Sequence, residues 1–332
     1  MTFLLLAAAF VLIVAGAFFF TNAVEWAGLR LGLAQGAVGS LLAAVATALP
    51  ESTIPVIALI SGSSTAQQEI AIGAIVGAPF LLGTLAMALV GFSAYLYRNR
   101  REQGEEIQPE AGHGERDFAF FVGFFGLAIL LGAIGVSTPI RIVVAIVFVI
   151  AYVVYTVWTV RSGQDVGATE PDAPLFFDWT KDDPPNNFQL IAQLVLSIAA
   201  IVGGAELFVH EVEAAATALG VPLLVLALVL APLATELPEK ANSVIWVRDG
   251  KDSLALGNIT GAMVFQSALP VAVGLAFTPW DLQPAAVVAG VVGLVGGCLA
   301  WWRLHQKSFG GRYQIVWLVL FVGFVVYAVL AG

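Results

Sequence analysis

Ten stretches of this chain are long and apolar enough to cross a bilayer: residues 3–29, 36–62, 68–97, 118–136, 139–160, 188–218, 220–247, 251–277, 285–303 and 313–331. A spanning helix needs roughly 20 such residues. In hydrocarbon the backbone has no water to bond, so these segments are expected to be helices. Of 332 residues, 59% are hydrophobic and 11% charged, which places the chain among polytopic membrane proteins. The first stretch lacks a small-residue cleavage site after it and reads as a retained helix rather than a signal peptide.

Against that background, charged residues within the apolar stretches are the informative ones, because a charge at bilayer depth is costly and marks an ion or substrate pathway. One six-residue string occurs twice, as Ala46-Thr47-Ala48-Leu49-Pro50-Glu51 and as Ala234-Thr235-Glu236-Leu237-Pro238-Glu239. Each copy puts a proline beside a carboxylate. Proline removes a helical hydrogen bond, so a helix break with freed carbonyls is expected at both places. Carbonyl, hydroxyl and carboxylate oxygens are hard ligands suited to Na⁺ or Ca²⁺. Glu51 and Glu239 are therefore the first candidates to hold a cation, with Thr47 and Thr235 beside them.

The two copies belong to a longer repeat. At a constant offset of 188 residues, Gly16 falls on Gly204, Glu25 on Glu213, Gly32 on Gly220 and Glu51 on Glu239. After a slip of four residues, Ala71, Gly73, Ile75, Gly77 and Ala78 fall on Ala255, Gly257, Ile259, Gly261 and Ala262. Each half has five spans, an odd number, so the second half is inserted upside down, and inverted repeats place their site near the midplane. The expected fold is all-α: ten transmembrane helices in two inverted five-helix repeats. Residues 1–160 form the first repeat, 161–187 a cytoplasmic linker, and 188–332 the second. The linker has six acids and four prolines and reads as a solvated segment. Residues 98–117, with both signs of charge, read as a plain loop.

Alternating the loops puts Arg30, Arg98, Arg100, Arg101, Arg116, Arg161, Lys181, Arg248, Lys251, Arg303, Lys307 and Arg312 on one side and Arg141 on the other. By the positive-inside rule both termini face outside, and the plasma (cell inner) membrane is the expected location.

With each duplicated string followed by a glycine-rich helix, the chain resembles the calcium:cation antiporter superfamily, nearest its sodium/calcium exchanger branch. The resemblance rests on Thr47, Pro50 and Glu51, on Thr235, Pro238 and Glu239, and on Leu254 to Gly261. It implies that both glutamates coordinate the transported ions and that the threonines add oxygens. Gln266 stands where the resemblance puts a ligand. Ala48, Ala78, Ala262 and Leu82 stand where relatives have oxygen-bearing side chains, while Glu236 is an added carboxylate.

Glu236 admits two readings: an ion pair with Lys240 four residues on, which Pro238 would distort, or a second charge at the site that favours proton coupling. Gln266, on one helix face with Asn258 and Ala262, either points at the ion or bonds between helices. Thr235 either joins the ligand set or bonds back to its own helix. Cys298 reads as a small buried residue, and Trp26, Trp158, Trp280, Trp301, Trp302 and Trp317 as interfacial anchors.

The function implied is secondary exchange of Ca²⁺ for Na⁺, with Ca²⁺/H⁺ antiport as the alternative and a non-transporting cation-binding protein as a third reading. No cofactor is expected, only the transported ions. The partners are membrane lipid and small inorganic cations, nucleic acid is not among them, and the chain carries no signal of oligomeric state. An enzyme is not expected, because no nucleophile–base pair, paired histidines or phosphate loop is present.

Overall fold

The structure, a computed structural model, describes residues 1–30, 50–62, 64–108, 114–161, 173–180, 185–306, 309 and 312–331. Eleven helices follow in order: α1 (Thr2–Arg30), α2 (Pro50–Ile60), α3 (Thr65–Leu81), α4 (Met87–Tyr97), α5 (Glu115–Ile134), α6 (Thr138–Arg161), α7 (Asn187–Leu219), α8 (Leu223–Arg248), α9 (Asp252–Phe277), α10 (Pro284–His305) and α11 (Tyr313–Ala331). A π-helical turn, Leu82–Ala86, joins α3 to α4, so Thr65–Tyr97 is one span. Among the described residues, eight spans are long and apolar enough to cross a membrane. Within α8, Leu223–Leu237 is a shorter apolar stretch. Of the second expected span only α2 is described. The fold class is all-α, as expected.

Local chemistry sets the helix ends. Ser64 Oγ accepts from the Gln67 amide (3.3 Å) while the Ser64 amide donates to Gln67 Oε1 (3.0 Å), a capping box that starts α3. Asn186 Oδ1 caps α7 by accepting from the Phe188 amide (2.8 Å). The α7–α8 corner needs a left-handed residue, and Gly220 supplies it at φ 65°.

The inversion is visible in one helix crossing. A Cβ on Gly16 would come within 2.9 Å of Ile201 Cγ1 and 3.0 Å of the Ser197 carbonyl. A Cβ on Gly204 would come within 2.9 Å of Ile13 Cγ1 and 3.0 Å of the Ala9 carbonyl. Each residue of the first set is the 188-offset partner of one in the second, so α1 and α7 pack antiparallel about a pseudo-two-fold axis.

The expected break in α8 does not occur: the helix is continuous from Leu223 to Arg248 through both Pro232 and Pro238. Pro232 has no N–H to offer the Leu228 carbonyl. That carbonyl instead faces Gly77 of α3, where the missing side chain lets the two backbones touch. Close packing thus accommodates the proline without a break.

Arg101 meets the start of α9 at Asp252, and Arg141 meets its other end, where the Leu275 carbonyl accepts from it at 3.5 Å. The segment after α4 is not a plain loop. Arg101 is buried and pairs bidentately with Asp252 at the start of α9, at 2.8 and 3.0 Å. It also donates to the carbonyls of Gly104 (2.9 Å), Glu106 (2.8 Å) and Val247. Ile107 pairs antiparallel with Phe309, whose ring stacks on Trp317. Part of the linker is docked as well: Leu175 is buried, and Asn22, Trp26 and Gln193 hold the backbone of residues 173–177 against α1 and α7.

Two tryptophans read as interfacial anchors are core residues. Trp280 and Trp317 are fully buried and donate to the carbonyls of Ala128 (2.9 Å) and Gly296 (3.0 Å), which satisfies their only polar atom. Cys298, expected to be buried, is exposed on α10, since that helix turns Gly296 and Gly297 inward to meet Gly83 and Phe121.

Candidate cation-binding site

Glu51 lies in the first turn of the described part of α2, with 6% of its surface exposed. Gln266, from the middle of α9, is 1% exposed, and its Nε2 donates to Glu51 Oε2. The contact joins the proline-flanked carboxylate of the first repeat to the third helix of the second, across 215 positions. Tyr152 of α6 lies within electrostatic reach of Glu51, and its ring meets Phe265, the neighbour of Gln266, edge to face at 5.8 Å.

This arrangement has a specific chemistry. A buried carboxylate costs several kcal/mol unless a donor or cation compensates it. Here the Gln266 amide supplies the donor. An amide also has a carbonyl oxygen, a hard ligand of the kind Na⁺ and Ca²⁺ take. A half-turn of the amide about its last bond therefore exchanges a donor to the carboxylate for an oxygen ligand to an ion.

Four residues of α8 lie on one helix face, at i, i+3, i+4 and i+7: Glu236, Glu239, Lys240 and Ser243. Glu236 is fully buried, and Lys240 Nζ lies 3.4 Å from Glu236 Oε2. The ion pair read as one of two possibilities is therefore formed. Because α8 stays helical through Pro238, the i,i+4 geometry survives. Thr235 is buried, and its hydroxyl donates to the Ala231 carbonyl at 3.2 Å. That bond uses the hydroxyl proton and leaves oxygen lone pairs. Asn258 of α9 donates to Ser243 Oγ at 3.1 Å, an interhelical bond.

Glu239 is placed on the α8 backbone, but its side chain is outside the described residues, and so is Thr47. The repeat partners of the α9 face, Ala74, Ala78 and Leu82, are all buried and apolar, so the first-repeat counterpart of Gln266 offers no polar atom. Among the described residues, no group of three or more His, Cys, Asp or Glu side chains forms a metal cage. The polar core brings together Glu51 with Gln266, Glu236 with Lys240, and Asn258 with Ser243. Tyr152 and Ser243 went unrecognised in the sequence, because one is an aromatic in an apolar run and the other a lone serine. Only the neighbouring helix gives either one meaning.

The sequence pattern of the family described as "Sodium/calcium exchanger protein" matches residues 1–161 and 189–331. The putative antiporter CaxA of Alkalimonas amylolytica is 34% identical over 118 residues, 35% of this chain and 37% of that protein. The sodium/calcium exchanger MaX1 of Methanosarcina acetivorans is 45% identical over 74 residues, 22% of this chain and 21% of that protein. The chain thus spans well under two thirds of either relative in alignment. The crystal structure of the H⁺/Ca²⁺ exchanger CAX superposes with a TM-score of 0.74 at 18% identity, covering 99% of this chain and 86% of that one. The sodium-calcium exchanger NCX_Mj, soaked with zero Na⁺ and Ca²⁺, gives 0.60 at 19% identity and covers 98% of both chains. At such identities the likeness is one of fold. Matched by the family pattern over nearly its whole length, this multi-pass membrane chain belongs to the sodium/calcium exchanger protein family.

Proposed function

We propose that the chain is a secondary active antiporter that moves Ca²⁺ against Na⁺, binding its ions between Glu51 and Glu239, with Gln266, Thr235 and Thr47 adding oxygens. The observation that carries this reading is the buried bond between Gln266 and Glu51. It gives a carboxylate deep in the bundle a partner that also ligates cations. Exchange follows from shared oxygens: Ca²⁺ and the counter-ion use the same carboxylates, so one leaves before the other binds. The halves 1–160 and 188–332, joined by 161–187, act as the two inverted units around the site. In a plasma membrane the basic end of the bundle faces the cytoplasm and both termini face outside.

Protons as counter-ion form a second reading, favoured by the dry face of Ala74, Ala78 and Leu82. Several Na⁺ ions need more oxygens than that face offers, whereas protons need only the carboxylates. It also fits the likeness in fold to CAX, an H⁺/Ca²⁺ exchanger. The test is uptake of radiolabelled Ca²⁺ into proteoliposomes under an outward Na⁺ gradient or an outward H⁺ gradient. Glu51→Gln and Glu239→Gln are each expected to abolish flux. Uptake driven only by the pH gradient selects the proton reading. Saturable Ca²⁺ binding with no flux under either gradient refutes transport.

A further inference from the structure

The transport reading uses Glu51 and Glu239 but leaves unexplained why α8 buries a second carboxylate and a lysine beside them. Glu236 and Lys240 are 0% and 4% exposed and lie on the face that carries Glu239. In the first repeat their 188-offset partners are Ala48 and Ser52. A helix of the same lineage is thus built without the pair, and buried ion pairs are a weak source of stability compared with apolar residues of similar volume. Their charge needs another explanation.

Glu206, within α7, is exposed, and the other ionised groups of α3, α8 and α9 stand at helix ends. Asp252 begins α9 and is held by Arg101, Arg248 ends α8, and Glu69 near the start of α3 accepts from Gln283 at 2.8 Å. Glu51, at the start of the described part of α2, and Glu236, Glu239 and Lys240 within α8 make four charges. Their sum is −2.

We infer that Lys240 is a tethered counter-ion that fixes the exchange ratio at one Ca²⁺ per two monovalent cations, making transport electroneutral. The inference rests on the reading that Glu51 and Glu239 bind the transported ions. An occupied site that crosses the hydrocarbon is favoured when its net charge is zero. One Ca²⁺ neutralises −2, and so do two Na⁺ or two protons, so the argument holds for either counter-ion. The ammonium on Glu236 occupies the place that a third monovalent ion would otherwise take. With Lys240 removed the site carries −3, a third monovalent ion is admitted, and each cycle moves net charge. Lys240 is on this account a specificity residue for stoichiometry, acting through Glu236 rather than on Ca²⁺ itself.

The experiment uses the full chain in proteoliposomes, with the Na⁺ or H⁺ gradient fixed and a K⁺ diffusion potential set by valinomycin. The steady-state Ca²⁺ accumulation ratio is the readout. For wild type it is expected to be the same with and without the potential. For Lys240→Met it is expected to shift by about 50-fold per 100 mV, the value for one net charge per cycle. For Glu236→Gln/Lys240→Met, which restores −2, independence of potential is expected to return. A potential-dependent ratio in wild type, or a potential-independent one in Lys240→Met, overturns the inference. Should Lys240→Met not fold, wild type and the double variant carry the test, and potential dependence in either is fatal. Absence of any gradient-driven Ca²⁺ flux in wild type overturns the exchange reading itself, and the inference with it.

Discussion

Replacing Gln266 by leucine, the residue at the equivalent position of the first repeat (Leu82), tests the site most directly. The variant keeps an apolar side chain of similar size at a position 1% exposed, so the packing of α9 is preserved while the amide is lost. The amide donates to Glu51 Oε2, and that stabilisation disappears. On the proposed reading the amide oxygen ligates Ca²⁺ when the ion binds, and that interaction disappears as well. At equal distance the second loss is about twice the first, since the ion carries twice the charge. The difference has the size of one charge-assisted hydrogen bond, about 1.5–3 kcal/mol. Because 1.4 kcal/mol is a factor of ten, Ca²⁺ affinity is expected to fall by about 10- to 150-fold. The assay is calorimetric Ca²⁺ titration of purified wild type and Gln266→Leu, with the half-saturation of Ca²⁺ uptake as a second measure. Unchanged or tighter Ca²⁺ binding by a variant that elutes and melts like wild type refutes the argument, because Gln266 then serves only the empty carboxylate.

Three further expectations concern the scaffold. Arg101→Met leaves Asp252 buried without its guanidinium and is expected to cost about 3–5 kcal/mol; thermal unfolding in detergent measures it, and Arg101→Met/Asp252→Leu should recover part of the loss. Gly77→Ala drives a methyl into the Leu228 carbonyl, which no rotamer relieves, so the melting temperature should fall. Gly261→Ala, its repeat partner, meets nothing within 4 Å among the described residues and should melt near wild type. Asn22→Ala removes hydrogen bonds to Pro174 (3.3 Å), Phe176 (3.2 Å) and Gln193 (3.0 Å). At about 1 kcal/mol each, hydrogen exchange at residues 175–177 should accelerate by at least about tenfold.

The helices were legible in one dimension because lipid imposes a one-dimensional rule: apolar length sets the span, and capping residues set its ends. The expected spans 68–97 and 313–331 correspond to Thr65–Tyr97 and Tyr313–Ala331. The failures share a cause. Arg101, Trp280 and Trp317 are amphipathic side chains that look like surface residues until a partner is known. Cys298 looks apolar but falls on the outward side of a helix whose glycines take the inward one. Pro238 promised a break that α8 does not make, and the carbonyl that Pro232 leaves unbonded faces Gly77 on another helix.

By itself the sequence determined that the chain lives in a membrane, that its halves are inverted copies, and that a carboxylate follows proline at two positions 188 residues apart. These follow from hydropathy, from the count of spans and from the offset of 188, none of which needs a contact. Only the tertiary structure decided that Gln266 meets Glu51, that Lys240 closes on Glu236, and that residues 173–177 bind across α1 and α7. A polar group's partner depends on which helix faces it and at what height, and neighbouring residues do not set that. The docking of segments up to 215 positions apart does.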